Sequence, residues 1–214
     1  MTKVTDLRIL DDTILRMVGT GDNWHTTWAG DDKLYVSLND GEGFPDVEGY
    51  TGMSLNTRVF AVNGHPPNHS SEYLPGFPDL PSGEIPEERS RYYGFSIIAL
   101  DEHIYHYLYT PNHPWAWPPP HEPVGDDKMW FDAPIYLGFW VADQAWGPWS
   151  QVHEETSWTP AEEPGAREYQ PQISPKWISD DGKSFWMIFT DSQPVDGERL
   201  YYDCNVQKVE ILIE

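Results

Sequence analysis

Apolar and polar positions alternate along most of this chain with a period of two, and that alternation predicts strands rather than helices. Residues 4–18 (VTDLRILDDTILRMV) alternate loosely around an Asp-Asp pair and read as an extended lead-in strand. Thr26 to Ala29 and Lys33 to Leu38 are rich in β-branched and aromatic residues and flank Gly30-Asp31-Asp32, which predicts a first hairpin. Leu55 to Val62 reads as a further strand, and the Pro-rich stretch 63–91 as a long surface loop. A second hairpin is predicted from Tyr92 to Leu100 and Ile104 to Thr110, across Asp101-Glu102-His103. A third joins Ile135–Val141 to Trp149–Val152. A fourth joins Trp177-Ile178 to Ser184–Thr190 over Ser179-Asp180-Asp181-Gly182, and Tyr201–Ile213 is the closing strand. The fold class is all-β, built of antiparallel hairpins.

The first and fourth hairpins repeat one plan. WAGDDKLYVSLND from Trp28 and WISDDGKSFWMIFTD from Trp177 each run Trp, an Asp-Asp turn, Lys, an aromatic and a terminal Asp (Asp40 and Asp191). Repeated strand-turn-strand units of this kind predict propeller blades, with a β-sandwich as the alternative. In a propeller the inner strands converge, which would bring Asp22, Asp40 and Asp191 toward one site. The Pro-dense stretch PNHPWAWPPPHEPVGDD cannot pair in the middle of a sheet and marks a joint. The predicted organisation is therefore 1–110, a joint at 111–132, and 133–214.

Composition sharpens the picture. Aromatics make up 14% of the chain, with eleven Trp and twelve Tyr, so core and binding surfaces alike should be aromatic. Thirteen Lys and Arg against thirty-five Asp and Glu leave a formal charge of −22, a field that repels nucleic acid and anionic lipid. The single cysteine, Cys204, excludes an intramolecular disulfide and a Cys-based zinc site, and reads as a buried strand residue. His65 and His69 are four apart, but Pro66 and Pro67 forbid the helix that would pair them on a metal. No EF-hand loop, P-loop, dinucleotide fingerprint or nucleophile elbow occurs, so no metal or cofactor is expected. Polar sequence follows Met1 directly with no apolar signal-peptide core, and the expected location is cytoplasmic.

Chemistry concentrates around the first hairpin. Asp22 precedes it and Asp40 follows it, and a hairpin returns to where it began, so the two ends should lie side by side. Trp24, His25 and Trp28 accompany them. Two carboxyls with aromatic surface suit glycosidic bond cleavage: one protonates the leaving oxygen, the other activates water or attacks the anomeric carbon. The bland alternative is that both aspartates serve turns.

GDNWHTTWAGDDKLYVSLNDGEGF, YYGFSIIAL, AWGPWSQVHEETSW, YQPQISPKWISDDGKSFWMIFTD and YYDCNVQKVEILI, in this order, resemble the domain-of-unknown-function 4185 family over about residues 18–110 and 130–212. The resemblance implies a five-bladed β-propeller related to furanosidases, some of which are endo-acting arabinan hydrolases. It places the family's acidic pair at Asp22 and Asp40. It implies substrate contacts at Trp24, Tyr169, Gln170 and Gln172. The expected partner is an oligo- or polysaccharide. Five four-stranded blades need about 300 residues, and here the joint occupies the place of the middle blades. A shortened propeller exposes sheet edges, which implies either a homo-oligomer that closes them or a role reduced to sugar binding or structure.

Overall fold

The computed structural model describes residues 3–82, 92–109, 136–144, 147–160, 167–195 and 199–214. The strands are β1 (Val4–Thr20), β2 (Asn23–Trp28), β3 (Leu34–Gly41), β4 (Leu55–His65), β5 (Asn68–Tyr73), β6 (Leu80–Pro81), β7 (Tyr93–Leu100) and β8 (His103–Tyr109). The C-terminal part adds β9 (Leu137–Val141), β10 (Ser150–Glu155), β11 (Arg167–Ile178), β12 (Ser184–Val195) and β13 (Arg199–Ile213). All pairings are antiparallel. The all-β expectation is met, and no sheet closes on itself among the described residues. The Pro-dense joint at 111–132 lies outside the described residues.

Two larger sheets pack face to face. One has the order β1-β13-β12-β11; the other runs β2-β3-β4-β5, with β6 paired to β4. The first strand of the chain thus completes a sheet whose other three strands are the last three. Between the sheets lies a core of Trp24, Leu34, Val36, Leu38, Phe60 and Val62 from one side and Trp177, Ile188, Cys204 and Val206 from the other. Residues from 1–110 and from 133–214 meet in it. The period of two explains this: in β3, Leu34, Val36 and Leu38 face the core, while Tyr35, Ser37 and Asn39 face the opposite way. A two-stranded sheet caps each outer face. The β9–β10 pair covers a second cluster of Leu7, Phe185, Met187, Phe189 and Val209. The β7–β8 pair covers the polar side of β2, β3 and β4.

One feature differs from the sequence expectations and two go beyond them. Much of the supposed loop from residue 63 is instead strand: β4 runs on to His65, the chain reverses at Pro66-Pro67, and β5 pairs back along β4, before a strand-free stretch over 74–79. The prolines that argued against pairing form the turn itself. Only 83–91 of that stretch lies outside the described residues. Next, β11 is one strand of 12 residues despite Pro171 and Pro175. It sits at the edge of its sheet, where a missing N–H interrupts no ladder on the open side. Third, the Asp-Asp pair of β1 sits in a register shift between Leu10 and Leu15. The Gln207 side chain donates to Asp11 at 2.8 Å, and Thr13 Oγ1 accepts from Lys208 N at 2.9 Å, so side chains fill the interrupted ladder.

Candidate functional site

The hairpin β2–β3 pairs Trp28 with Leu34 at its turn and Asn23 with Asn39 at its base. Asp22 N donates to Asn39 O at 2.8 Å, so Asp22 and Asn23 both meet Asn39, the two-against-one pattern of a bulge. Just beyond, Thr20 and Gly43 exchange two backbone hydrogen bonds of 3.0 Å each. The chain crosses closely there: a Cβ on Gly41 would lie 2.1 Å from the Thr20 carbonyl oxygen, so only glycine fits. These contacts hold the main chains of Asp22 and Asp40 at the same end of the hairpin.

The two aspartates have different surroundings. Asp22 is half-buried, and its carboxyl accepts from Asn23 Nδ2 at 2.8 Å. Burial pushes its pKa above the ordinary carboxylate value, against the smaller opposing effect of that bond. Asp40 is exposed and has φ +43°, in the left-handed region. Among the described residues, four other than glycine adopt positive φ: Asp32, Asp40, Asp101 and Gln170. Asp32 and Asp101 lie in hairpin turns, where Asp tolerates that conformation. Asp40 and Gln170 lie within strands, where it costs about 1–3 kcal/mol and tends to mark functional positions.

β11 and β12 bring Gln170 to the same end. Tyr169 partners Thr190 through its main chain, and the register shifts between Tyr169 and Gln172. The Thr190 hydroxyl donates to the carbonyl of Asp22 at 2.7 Å. The Gln172 amide Nε2 stands 3.3 Å from His25 Nδ1. The imidazole accepts there, and its half-burial lowers its pKa, so His25 is neutral near pH 7. Asp22 and Asp40 thus lie at one end of the hairpin, Thr190 of β12 bonds the main chain of Asp22, and Gln172 of β11 meets His25.

Other singled-out residues fall elsewhere. Trp24 is 0% exposed and packs its ring on Phe44 and Phe60, at centroid distances of 5.5 and 6.2 Å, so it offers no face to a sugar. Trp28 is 51% exposed, but it stands at the turn end of β2, roughly 20 Å along the strand from Asp22. Its indole donates to Asp32 at 3.1 Å. Asp191 is fully buried, and its carboxylate pairs with Arg16, so it stands inside the protein rather than at a binding surface. The repeat that aligns Asp40 with Asp191, and Trp28 with Trp177, thus holds for the hairpins and not for these side chains: Trp177 is core. Arg58 pairs with Asp79 at 3.3 Å and lies over the Tyr73 ring.

A polar layer missed by the sequence reading lies beneath β7–β8. Ser37 Oγ is 3.1 Å from Thr57 Oγ1 and 3.0 Å from His106 Nε2, and Asn39 donates to the Gly94 carbonyl at 2.5 Å. A Cβ on Gly94 would meet His106 Nε2 at 2.4 Å and Thr57 Oγ1 at 2.6 Å, so a glycine strand position is what admits the layer. The alternation placed Ser37 and Asn39 on one face, but nothing local tied them to a histidine 69 residues on. Among the described residues no three His, Cys, Asp or Glu side chains group as a metal site would require. Comparison of the chain with protein families, curated proteins and solved structures finds no match.

Proposed function

We propose that this protein hydrolyses glycosidic bonds in a furanose-containing polysaccharide, with Asp22 as general acid and Asp40 as the second carboxylate. The observation that carries this reading is the contrast at one hairpin end: a half-buried Asp22 whose pKa is raised, beside an exposed Asp40 in a strained backbone conformation. Carboxyls in unlike surroundings suit acid and base roles. The protonated Asp22 gives its proton to the glycosidic oxygen as the bond to the anomeric carbon breaks. Asp40 takes a proton from the attacking water or bonds to the anomeric carbon itself. His25, Gln170 and Gln172 line the approach as hydrogen-bonding groups for sugar hydroxyls.

We read the stacked sheets as blades of a shortened propeller resembling the domain-of-unknown-function 4185 family. Support comes from the N-terminal strand completing the C-terminal sheet, and from the adjoining edges β2 and β11 that carry the site. A second reading, a sugar-binding module without catalysis, is favoured by Trp28, a half-exposed ring fixed by its bond to Asp32 away from the acids.

The test is sugar release from arabinan and other furanose polymers by the intact chain, Asp22→Asn and Asp40→Asn. Each variant is expected to lose about 10²–10⁴-fold in rate with an unchanged circular dichroism spectrum. No release by the intact chain, with binding retained and lost on Trp28→Ala, would replace hydrolysis with the binding module.

A further inference from the structure

We propose that Thr190 is the positioning residue of Asp22; this rests on the reading of Asp22 as the acid. Thr190 lies in β12, in the other sheet, and is fully buried. Its hydroxyl has one proton and two neighbours. Trp24 Nε1, at 3.0 Å, can only donate, so Thr190 Oγ1 accepts from it. The hydroxyl proton is thereby directed to the carbonyl of Asp22 at 2.7 Å. The relay from Trp24 N–H through Thr190 O–H to Asp22 C=O has one direction, and each bond polarises the next.

The relay fixes a residue that the local sequence leaves loose. Asp22 follows Gly21 and precedes the strand proper. Its N–H is held within its own sheet by Asn39 O, and its C=O by Thr190 from the opposite sheet. Both hydrogen-bonding groups of the residue's main chain are thus tied, by two elements on different sheets. How deeply the carboxyl sits depends on both. Thr190 is itself anchored: the next residue, Asp191, pairs with Arg16 of β1, which also donates to Asn205 of β13 at 2.9 Å. Charged and titratable groups on the elements that meet at this end are Asp40 and Glu42 at the end of β3, His25 on β2, the Arg16–Asp191 pair of β1 and β12, and Asp203 on β13.

A merely structural Thr190 would hold the sheets together without governing how Asp22 titrates. The test follows the Asp22 carboxyl carbon by NMR against pH in the intact chain, Thr190→Val, Thr190→Ser and Trp24→Phe. The intact chain should titrate Asp22 above the ordinary carboxylate value. Thr190→Val, which keeps the shape and removes the hydroxyl, should move the midpoint down as water reaches the carboxyl. Thr190→Ser and Trp24→Phe, which keep the bond to Asp22, should titrate like the intact chain. A folded Thr190→Val with an unmoved midpoint overturns the proposal. So does a Thr190→Ser midpoint that has dropped, and that outcome decides the matter even if Thr190→Val does not fold. The readout needs no turnover, so failure of the hydrolase reading and failure of this one are separate results. Where sugar release is measurable, Thr190→Val should lower kcat by about tenfold or more, as a misplaced acid does, with Thr190→Ser restoring it.

Discussion

His106 shows how one side chain makes stability depend on pH. Its Nε2 meets Ser37, and burial, with His25 nearby as a smaller cause, lowers its pKa to about 4. The unfolded chain returns it to about 6.5. Below that value the unfolded state binds a proton that the folded state refuses, so stability is full above about pH 6.5 and drains away as pH falls toward about 4. His25 and His69, also lowered by burial, act in the same direction, whereas the raised Asp22 acts against them. Urea midpoints at about pH 7 and about pH 4.5 should therefore differ less for His106→Gln than for the intact chain. Equal differences would mean that the folded state takes up the His106 proton as readily as the unfolded chain does. The proposed acid pair belongs to this scale as well. Its two members were legible because a hairpin must return to its starting point. Their unlike surroundings were not, since burial depends on β11 and β12, more than a hundred residues away.

At the scale of elements, one ion pair joins the β2–β3 turn to β11. Lys176 has a side chain only 1% exposed, and its ammonium donates to the carbonyl of Asp32 and stands 3.0 Å from its carboxylate. That carboxylate is exposed and also accepts from Trp28. The two ends of the pair are unequal. Removing the charge of Asp32 leaves a buried ammonium short of its counter-charge, whereas removing the ammonium leaves an aspartate free to be hydrated. Asp32→Asn should therefore lower the urea midpoint more than Lys176→Met, and the latter should stay within about 1.5 kcal/mol of the intact chain. The reverse order would mean that the Lys176 stem, not its charge, fastens the turn. From the sequence, Lys176 in ISPKWIS was one polar position among several. Its partner could not be read, because an edge strand of one sheet meets the turn of another only after both sheets have stacked. The same limit applied to β5, whose short run NHSSEY has no apolar alternation and is a strand because β4 offers a free edge to it.

For the whole molecule, charge is the dominant long-range term. A formal charge of −22 on 214 residues means that folding compresses like charges together. Of the basic side chains, Arg8, Arg16, Lys33, Arg58 and Lys176 are each spent on an ion pair. Salt should relieve the repulsion more than it weakens these pairs. Raising NaCl from about 10 mM to about 0.5 M, which shortens the screening length from about 30 Å to a few ångströms, should raise Tm by about 4 °C or more. A falling Tm would show that the ion pairs outweigh the net charge. On the proposed polysaccharide reading, anionic polysaccharides should bind worse than neutral ones of equal length, for the same reason.

The period-two alternation, with Asp, Gly and Pro at the breaks, was enough to determine an all-β chain, most of its hairpins and the burial of Cys204, because these follow from local geometry and from which face of a strand is apolar. Tertiary structure alone decided which hairpins stack and that β1 completes the C-terminal sheet. It also decided that Trp24 and Asp191 belong to the interior, that Thr190 bonds the main chain of Asp22, and that a polar layer around His106 lies beneath β7–β8. Each of these depends on contacts between residues distant in the chain, and alternation records only that a face is covered, not by what.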